Sequence, residues 1–325
     1  MRTLVSGIAV TGITLGGLSL APSGVGASEG VIIGAANHGI MAAVEYATEK
    51  RVFARNGLNV SGIEYFPAPV EGLEALAAGE FQFMYVPAVT AIDAYVNKGM
   101  NIRIVAPASG TSAEEIAQAK KNPTLAATLD DAGFCATPGM TRWGDLGGKT
   151  VGVPERNGQA EVTIAAAVLA DGGDPGTITW KVTPLKDVVA LIQSGEIAGG
   201  LAIEPFIKQC TNAGLINLGS APLKFFDNVE TTRYWVTTAP YAEANPEAVL
   251  AFQKSMYQVH KFANKSEANM TTVLKGETET VAPTYLLKVK RKEVENISAK
   301  LLALGFIKQP VDVPGLLMRQ YAPSS

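Results

Sequence analysis

The sequence predicts an α/β fold in which mostly parallel strands alternate with helices. Short apolar runs, typical of buried strands, alternate with longer segments whose apolar residues recur at helical spacing. Glycines follow several of these helical segments, at positions where they end helices. An apolar content of 47% with 18% charged residues is typical of a globular chain with a substantial core. Together these observations indicate a mostly parallel sheet flanked by helices.

The first part of the chain contains alternating predicted strands and helices. Residues 31–36 form an apolar run short enough for a buried strand, and 40–55 continue with helical spacing to a stop at Asn56-Gly57. The predicted strands are 31–36, 58–66, 81–86 and 102–106, and the predicted helices are 40–55, 69–78 and 88–96. This βαβαβαβ order predicts one mostly parallel sheet.

The segment 111–132 interrupts this alternation. It is polar and rich in alanine, and it predicts one or two surface helices. Beyond it the alternation resumes, and Gly172-Gly173 ends one of the helices before Pro175. The strands predicted here are 134–136, 150–153, 178–182, 199–203 and 216–218, and the helices are 159–170, 186–194 and 206–213.

After a strand predicted at 233–237 the chain becomes mostly helical. Asn245-Pro246 predicts the start of a long amphipathic helix, because asparagine is a good N-cap and proline fits the first helical position. Further helices are predicted near 266–275 and 292–304. The end of the chain, from Gln309, is predicted to be extended.

Residues 1–27 have the composition of a secretory signal peptide. Arg2 carries their only side-chain charge, 4–20 is an apolar run of small and aliphatic residues, and small residues precede a cut after Ala27. Cleavage would leave 325 − 27 = 298 residues and remove one positive charge from the formal net charge of −3. The alternative is an uncleaved membrane anchor, against which the glycines and the missing stop-transfer charges argue.

Charge and composition exclude several classes of function. A formal net charge of −3 provides no basic surface for nucleic acid. The two histidines, His38 and His260, and the two cysteines, Cys135 and Cys210, have none of the spacings of a zinc site, so we expect no metal and no cofactor. In an exported protein the cysteines could form one disulfide, or they could be two separate buried thiols, and the sequence leaves both open.

Four sequence strings occur in an order that resembles a known family. They are EKRVFARNGLNV, LAAGEFQFMYVPA, WGDLGGKTVGVP and LIQSGEIAGGLAIEPF. In this order they resemble the substrate-binding proteins of ABC importers for nitrate, sulfonate, taurine and thiamine-pyrimidine precursors. The resemblance extends from residue 31 to about residue 304. It implies a two-domain type II periplasmic-binding-protein fold, with two hinge crossings and a ligand cleft between the α/β domains.

The resemblance also implies a division of the chain into domains. After the signal peptide (1–27), residues 28–109 would form the first part of domain 1, and 133–231 would form domain 2. Residues 232–325 would return to domain 1 and add its C-terminal helices. The helical insertion at 110–132 departs from the family, in which this crossing is shorter.

The function implied by the resemblance is binding without catalysis. The protein would be a monomer on the periplasmic or extracellular side of the cytoplasmic membrane. It would capture a small anionic or zwitterionic solute and deliver it to an ABC permease with a separate ATPase subunit, contacting the membrane only through that permease. Two alternatives are an enzyme like the pyrimidine-precursor synthase on the same fold, whose Cys-rich motif Cys135 does not match, and a sensory ligand-binding module.

Positions for the ligand follow from the geometry of open α/β sheets. Ligand sites lie beyond the carboxyl ends of the strands, where helices begin. In domain 1 this rule selects Asn37, His38, Pro67, Ala68, Pro87, Ala88 and Ser109. In domain 2 it selects Glu155, Arg156, Asn157, Gly158, Gln159 and Glu204. Tyr234 lies near the return crossing and is a further candidate.

Residues 156–159 predict an anion site at the start of a helix. The free N–H groups and the dipole of the helix attract an anion, and Gly158 allows it to approach closely. Arg156 could bind a sulfonate, carboxylate or nitrate with two hydrogen bonds. Alternatively, Arg156 and Asn157 are exposed and only form the turn and cap the helix.

Four other candidates each have two interpretations. Asn37 and His38 could contact the ligand or cap the first helix. Glu204 could bind an amine or N–H group of the ligand, or it could be a carboxylate stabilised at a helix N-terminus. Tyr234 could line the cleft or belong to the core.

Overall fold

Two five-stranded sheets, each flanked by helices, organise the chain. The structure is a computed structural model, and it describes residues 30–36, 41–121, 132–203, 205–276 and 282–323. The strands are β1 (Val31–Ala36), β2 (Val60–Phe66), β3 (Phe83–Pro87), β4 (Ile102–Gly110), β5 (Ala132–Ala136), β6 (Thr150–Val153), β7 (Thr179–Val182), β8 (Gly199–Ile203), β9 (Ile216–Asn217) and β10 (Thr231–Thr238). The predicted α/β class is confirmed.

The helices lie between these strands and dominate the C-terminal part. They are α1 (Ala42–Glu49), α2 (Val52–Arg55), α3 (Pro69–Ala78), α4 (Ala88–Val96), α5 (Ala113–Lys121), α6 (Gln159–Ala170), α7 (Val188–Gln193), α8 (Phe206–Asn212), α9 (Ala221–Phe225), α10 (Ala239–Ala244), α11 (Pro246–Ala263), α12 (Glu267–Val273), α13 (Arg291–Ala303) and α14 (Val313–Leu316).

The first sheet contains strands from both parts of the chain, in the order β2-β1-β3-β10-β4. β1 is parallel to β2 and β3, whereas β10 is antiparallel to both of its neighbours, β3 and β4. The first residues of β10 therefore lie beside the carboxyl ends of β3 and β4, and Arg233 is opposite both Pro87 and Ser109. The return segment thus contributes to the edge of the sheet where ligands bind in this type of fold.

The second sheet has the order β7-β6-β8-β5-β9. β6 is parallel to β7 and β8, whereas β5 is antiparallel to β8 and β9. In each sheet the antiparallel interior strand, β10 or β5, is the first one that the chain forms after it crosses from the other sheet.

Several predicted elements differ from the observed ones for local reasons. α3, α4 and α6 have the predicted ends, but the helix predicted at 40–55 is divided, because Arg51 has a left-handed φ of 54°. α9 and α10 were not predicted, because each is a short helix with a proline, Pro222 or Pro240, in its first turn. Segments this short show no clear hydrophobic period. The tail predicted to be extended from Gln309 contains α14.

An aromatic cluster packs α11 against the first sheet. The ring of Phe252 in α11 stacks on Phe83 with the centroids 4.2 Å apart, and it also contacts Phe53 and Trp235, each at 5.6 Å. All four side chains are buried. Phe53 and Phe83 come from the first part of the chain and the other two from its last part, so both parts share one core.

A disulfide lies in the second sheet and its helices. It joins Cys135 in β5 to Cys210 in α8, over a sequence separation of 75, and both residues are buried. Of the two states that the sequence left open, the structure has the bonded one. The bond ties α8 to β5, an interior strand of this sheet.

The two crossings between the sheets lie against each other. The chain leaves the first sheet after Gly110 and returns at Thr231, and the N–H of Thr111 donates to the carbonyl oxygen of Glu230 at 2.8 Å. A Cβ on residue 110 would overlap that same oxygen, so the close approach requires glycine. Glu293 of α13 accepts hydrogen bonds from the N–H groups of Glu230 and Thr231, each at 3.3 Å, and thereby holds the second crossing.

The first crossing continues into α5, within the predicted helical insertion. Ser112 and Glu115 cap this helix reciprocally, through N–H donors at 2.6 and 3.2 Å. The Thr284 hydroxyl donates to the Glu115 carboxylate at 2.9 Å, which fastens the start of α5 to the C-terminal segment. Residues 122–131 of the insertion lie outside the described residues.

The signal peptide predicted at 1–27 also lies outside the described residues. Over the ranges that the structure describes, no helix combines the length and the hydropathy needed to cross a bilayer. Export through a cleaved N-terminal segment stays a prediction.

His260 is buried in α11, and its surroundings predict a pH-dependent stability. Its ring stacks on Tyr285 with the centroids 4.7 Å apart, and its Nδ1 lies 2.8 Å from the carbonyl oxygen of Leu286. Burial lowers the pKa of His260 from 6.5 to about 4, and the hydrogen bond to Leu286 opposes this only in part. The unfolded chain therefore takes up a proton at a higher pH than the folded protein does.

We expect the free energy of unfolding to fall as the pH decreases from 6.5 towards 4, because protonation of His260 in this window favours the unfolded chain. The contribution of His260 is complete above pH 6.5 and smaller by about 2 kcal/mol at about pH 5. Urea unfolding at about pH 8 and about pH 5 measures the loss. The variant His260→Gln should lose correspondingly less, and an equal loss in both proteins would contradict this assignment.

Candidate functional site

The candidate site lies between the two sheets, where helices of both begin. α3 and α4 begin at the carboxyl ends of β2 and β3, and α6 begins after β6 of the other sheet. Val162 of α6 is fully buried in the core of the first sheet, and Ala166 packs against that core. The first half of α6 therefore docks on the first sheet, next to α4.

Glu155 joins the two sheets at this place. It follows β6, and its Oε1 accepts a hydrogen bond from the Thr90 hydroxyl of α4 at 2.7 Å. The backbone N–H of Val70, in the first turn of α3, faces the same carboxylate. Glu155 is only 8% exposed, and its Oε2 has no hydrogen-bond partner among the described residues. One carboxylate from the second sheet thus contacts the first turns of two helices of the first sheet.

The titration of Glu155 reflects this incomplete set of partners. Burial raises the pKa of the Glu155 carboxyl above its usual value of 4.5. The hydrogen bond from Thr90, the charge of Lys98 and the N–H of Val70 oppose the rise, and the charge of Asp93 adds to it. Such a rise is expected when a carboxylate has lost its hydration and gained too few donors in exchange.

The turn between β6 and α6 directs Glu155 towards the first sheet. Asn157 has a left-handed φ of 58°, which asparagine tolerates better than most residues. A Cβ on Gly158 would overlap the Glu155 carboxyl, so the glycine allows this side chain to fold back over the turn. The space that the sequence assigned to an approaching anion at Gly158 is therefore occupied by the side chain of Glu155.

Arg156 contacts a residue of its own turn. Its Nε and Nη2 donate to the Glu161 carboxylate at 2.7 and 3.1 Å, and the N–H of Asn157 donates to the same group at 2.8 Å. The Glu161 side chain is 5% exposed, whereas that of Arg156 is 50% exposed. The guanidinium thus neutralises a buried carboxylate in the first turn of α6, while half of its own side chain stays exposed, and the role of Arg156 as an anion ligand stays a prediction.

Gln159 and Ser109 each carry a buried polar oxygen that has no partner among the described residues. Gln159, the first residue of α6, is 8% exposed, and its Oε1 lacks a partner among the described residues. Ser109 is 1% exposed and belongs to β4 itself, which is longer than predicted; its Oγ also lacks a partner in that part of the chain. Buried polar atoms are nearly always hydrogen-bonded, so such atoms mark places where a ligand or a water completes the set.

The other predicted positions in the first sheet lie at helix starts. Pro67 is exposed, and Ala68 is the N-cap of α3. Pro87 is the N-cap of α4, and Ala88 is its buried first residue. Neither cap provides a side-chain hydrogen bond, so the first-turn N–H groups of both helices need partners from elsewhere.

Tyr234 lies in the core of the first sheet. It is fully buried, in register with Val86 of β3 and Pro107 of β4. Burial raises the pKa of its hydroxyl well above the usual range, and the charge of Glu293 in α13 adds to the rise. The structure therefore favours the core interpretation of Tyr234 over the predicted place on the cleft surface.

Sequence reasoning missed Thr90 and Arg233. Thr90 is the third residue of α4, just beyond the positions at the strand end that the rule selects. The signal that could have identified it is a hydroxyl in the first turn of a helix that follows a strand. Arg233 reaches the cleft edge because β10 is antiparallel, which places it opposite Pro87 and Ser109. The direction of a central strand is not visible in its residue pattern.

Asn37, His38 and Glu204 lie outside the described residues, and their roles stay predictions. Within the described ranges, no group of three or more His, Cys, Asp or Glu side chains is placed to hold a metal ion. The structure brings the Thr90 hydroxyl and the Glu155 carboxylate together at the starts of α3 and α4.

A protein-family model matches most of the chain. The model of the NMT1-like family covers residues 27–275. No curated protein matches the sequence.

Solved structures of binding proteins share this fold at low sequence identity. The periplasmic nitrate-binding protein of Synechocystis PCC 6803 has a TM-score of 0.69 at 12% identity, over 88% of this chain and 85% of that one. The alkanesulfonate-binding protein of Xanthomonas axonopodis pv. citri, bound to MOPS, has 0.67 at 14%, over 89% and 98%. A zinc-bound ligand-binding component of an ABC-type import system from Staphylococcus aureus has 0.68 at 13%, over 89% and 96%. The predicted two-domain periplasmic-binding-protein fold is confirmed.

Proposed function

The chain belongs to the NMT1-like family, and from this premise we propose that it is the solute-binding component of an ABC importer. In this proposal it works outside the cytoplasmic membrane and captures a small anionic or zwitterionic organic solute. It then delivers the solute, as a monomer, to a permease whose ATPase is a separate subunit. The fold shared with nitrate-binding and alkanesulfonate-binding proteins supports this reading.

The contact between Glu155 and Thr90 is the observation that carries the proposal. It joins groups of the two sheets at 2.7 Å, at the place where helix N-termini from both sheets face each other. A solute held there would touch both halves and stabilise the closed arrangement by its differential affinity for it. Closure would bend the chain at the two paired crossings, which lie side by side at Gly110 and Glu230.

The proposal predicts that a solute both stabilises and compacts the protein. Calorimetry, thermal unfolding and small-angle scattering would use ethanesulfonate, taurine, nitrate and aminopyrimidines as probes. At about 100 times its Kd, a bound probe should add about 2.7 kcal/mol to the free energy of unfolding. The radius of gyration should fall at the same time, because the halves close. If no probe raises the melting temperature and native mass spectrometry finds no co-purified solute, the proposal is wrong.

A pair of matched variants locates the effect. Thr90→Val removes the hydroxyl that reaches Glu155 and should weaken binding by about tenfold, the value of one hydrogen bond to a charged group. Thr48→Val makes the same change on α1 and should leave binding unchanged, because within the described residues the Thr48 hydroxyl bonds only to the carbonyl oxygen of Val44 in its own helix. Equal effects of the two substitutions would place the solute elsewhere.

A further inference from the structure

We propose that Glu155 determines which solutes the cleft accepts. Its carboxylate lies on the helix starts of the first sheet, where the anionic end of a solute would otherwise bind. The cleft would therefore reject solutes that offer only an anion and select those that present a nitrogen donor, such as an ammonium, amidinium or amino-heterocycle group. This inference rests on the proposed solute-binding function. It removes purely anionic solutes from the proposed substrate class and requires a nitrogen donor of every solute that binds.

The N-terminal turns of α3 and α4 attract negative charge. The first-turn N–H groups and the dipoles of α3 and α4 favour a negative charge. Neither helix has a side-chain cap of its own, and Glu155 provides the negative group from the other sheet. A simple anion that entered this position would have to displace the carboxylate or lie beside it, at the cost of repulsion between like charges.

Two buried acceptor oxygens, one of Glu155 and one of Gln159, lack a partner in the described part of the chain. Glu155 is more than nine-tenths buried, and its Oε2 is unpartnered among the described residues. The Oε1 atom of Gln159, at the start of the facing helix α6, is equally buried and also unpartnered there. Both are acceptors. The group that best completes such a site is a donor, and a cationic donor would also relieve the uncompensated burial of the carboxylate.

The turn between β6 and α6 positions the Glu155 carboxylate. The glycine at 158 is needed for the Glu155 side chain to fold back over the turn, since a Cβ would overlap the carboxyl. The ion pair of Arg156 with Glu161 fixes the same turn from its outer side. Gly158 thus leaves room for the Glu155 side chain, and the hydrogen bond from the Thr90 hydroxyl holds the carboxylate there.

The test compares two probes that differ in a single group. Taurine carries an ammonium and a sulfonate, whereas ethanesulfonate carries only the sulfonate. We expect the wild-type protein to bind taurine at least about tenfold more tightly, a difference of about 1.4 kcal/mol. Glu155→Ala also loses the contact with Thr90, but the helix starts and the Thr90 hydroxyl then become free to bind the anion themselves. The affinity for ethanesulfonate should therefore rise at least about tenfold, and the preference for taurine should disappear.

Two further variants make every outcome decisive. Glu155→Gln keeps the size and the contact with Thr90 but removes the charge, and it carries the test if the alanine variant does not fold. Glu71→Gln removes the same charge from an exposed position in the first turn of α3, and it should behave as the wild type does. The inference is overturned if neither Glu155 variant binds ethanesulfonate more tightly than the wild type does. It is also overturned if Glu71→Gln gains as much affinity, or if the wild type prefers ethanesulfonate to taurine. Because the gain is measured in the variants, it can fail while the wild type still binds other solutes.

Discussion

Replacing Cys135 and Cys210 together by alanine is expected to lower the free energy of unfolding by about 4 kcal/mol. The disulfide closes a loop with a sequence separation of 75, and a cross-link of that span removes much of the conformational entropy of the unfolded chain. It also fastens α8 to β5, an interior strand of the second sheet that is hydrogen-bonded to β8 and β9. The loss should therefore appear first in that sheet and its helices.

Urea unfolding of the oxidised, the reduced and the doubly substituted protein measures this loss. The reduced wild type keeps both sulfur atoms. The difference between its free energy of unfolding and that of the alanine variant therefore isolates the effect of the lost side-chain volume. Hydrogen exchange should quicken in β5 and α8, while the aromatic cluster around Phe252 stays protected. A difference below about 1 kcal/mol between the oxidised and reduced proteins would show that the unfolded chain is already constrained without the bond.

The elements nearest to the cleft were the ones that the sequence predicted best. α3, α4 and α6 have their predicted ends because local signals mark them, such as Pro69 and Gly79 at the ends of α3. The cleft contacts could not be predicted in the same way. Glu155 and Thr90 are separated by 65 positions and belong to different sheets, so they meet only through the docking of one sheet on the other.

Arg156 has a local partner that its place at the strand-to-helix turn did not reveal. The sequence assigned this strand-to-helix turn to the ligand, and in the structure the guanidinium pairs with Glu161, five positions further along the chain. That carboxylate is buried, and an unpaired buried charge costs far more free energy than an exposed guanidinium gains from a solute. The residue that faces the other sheet is its neighbour Glu155, which the strand-end rule had selected on position alone.

The two crossings limit where the chain can bend when the two sheets close over a solute. Gly110 and Glu230 lie where the chain passes between the sheets, and they are in direct contact through their backbones. Glu293 holds the second crossing to α13, so both crossings are anchored on the first sheet. Any closing of the second sheet over the first must therefore be absorbed within a few residues on either side of this contact.

Gly110→Ala is accordingly expected to cost about 3 kcal/mol of stability and to impair closure. Its Cβ would overlap the Glu230 carbonyl oxygen, and backbone atoms of Thr231 lie close behind, so no side-chain rotation can relieve the overlap. The crossings would have to separate, which breaks the hydrogen bond from the Thr111 N–H to Glu230. In scattering experiments the variant should remain more expanded than the wild type when a solute is added.

Gly62→Ala is the matched control for this change. Gly62 lies in β2, where an added Cβ meets nothing within 4 Å and the backbone is not in the left-handed region. The same substitution there should change the free energy of unfolding by less than about 0.5 kcal/mol, since it affects only the entropy of the chain and one exposed methyl group. If Gly110→Ala is tolerated as well as Gly62→Ala, the two crossings do not form a tight backbone contact in solution, and the closing motion must bend the chain at other residues.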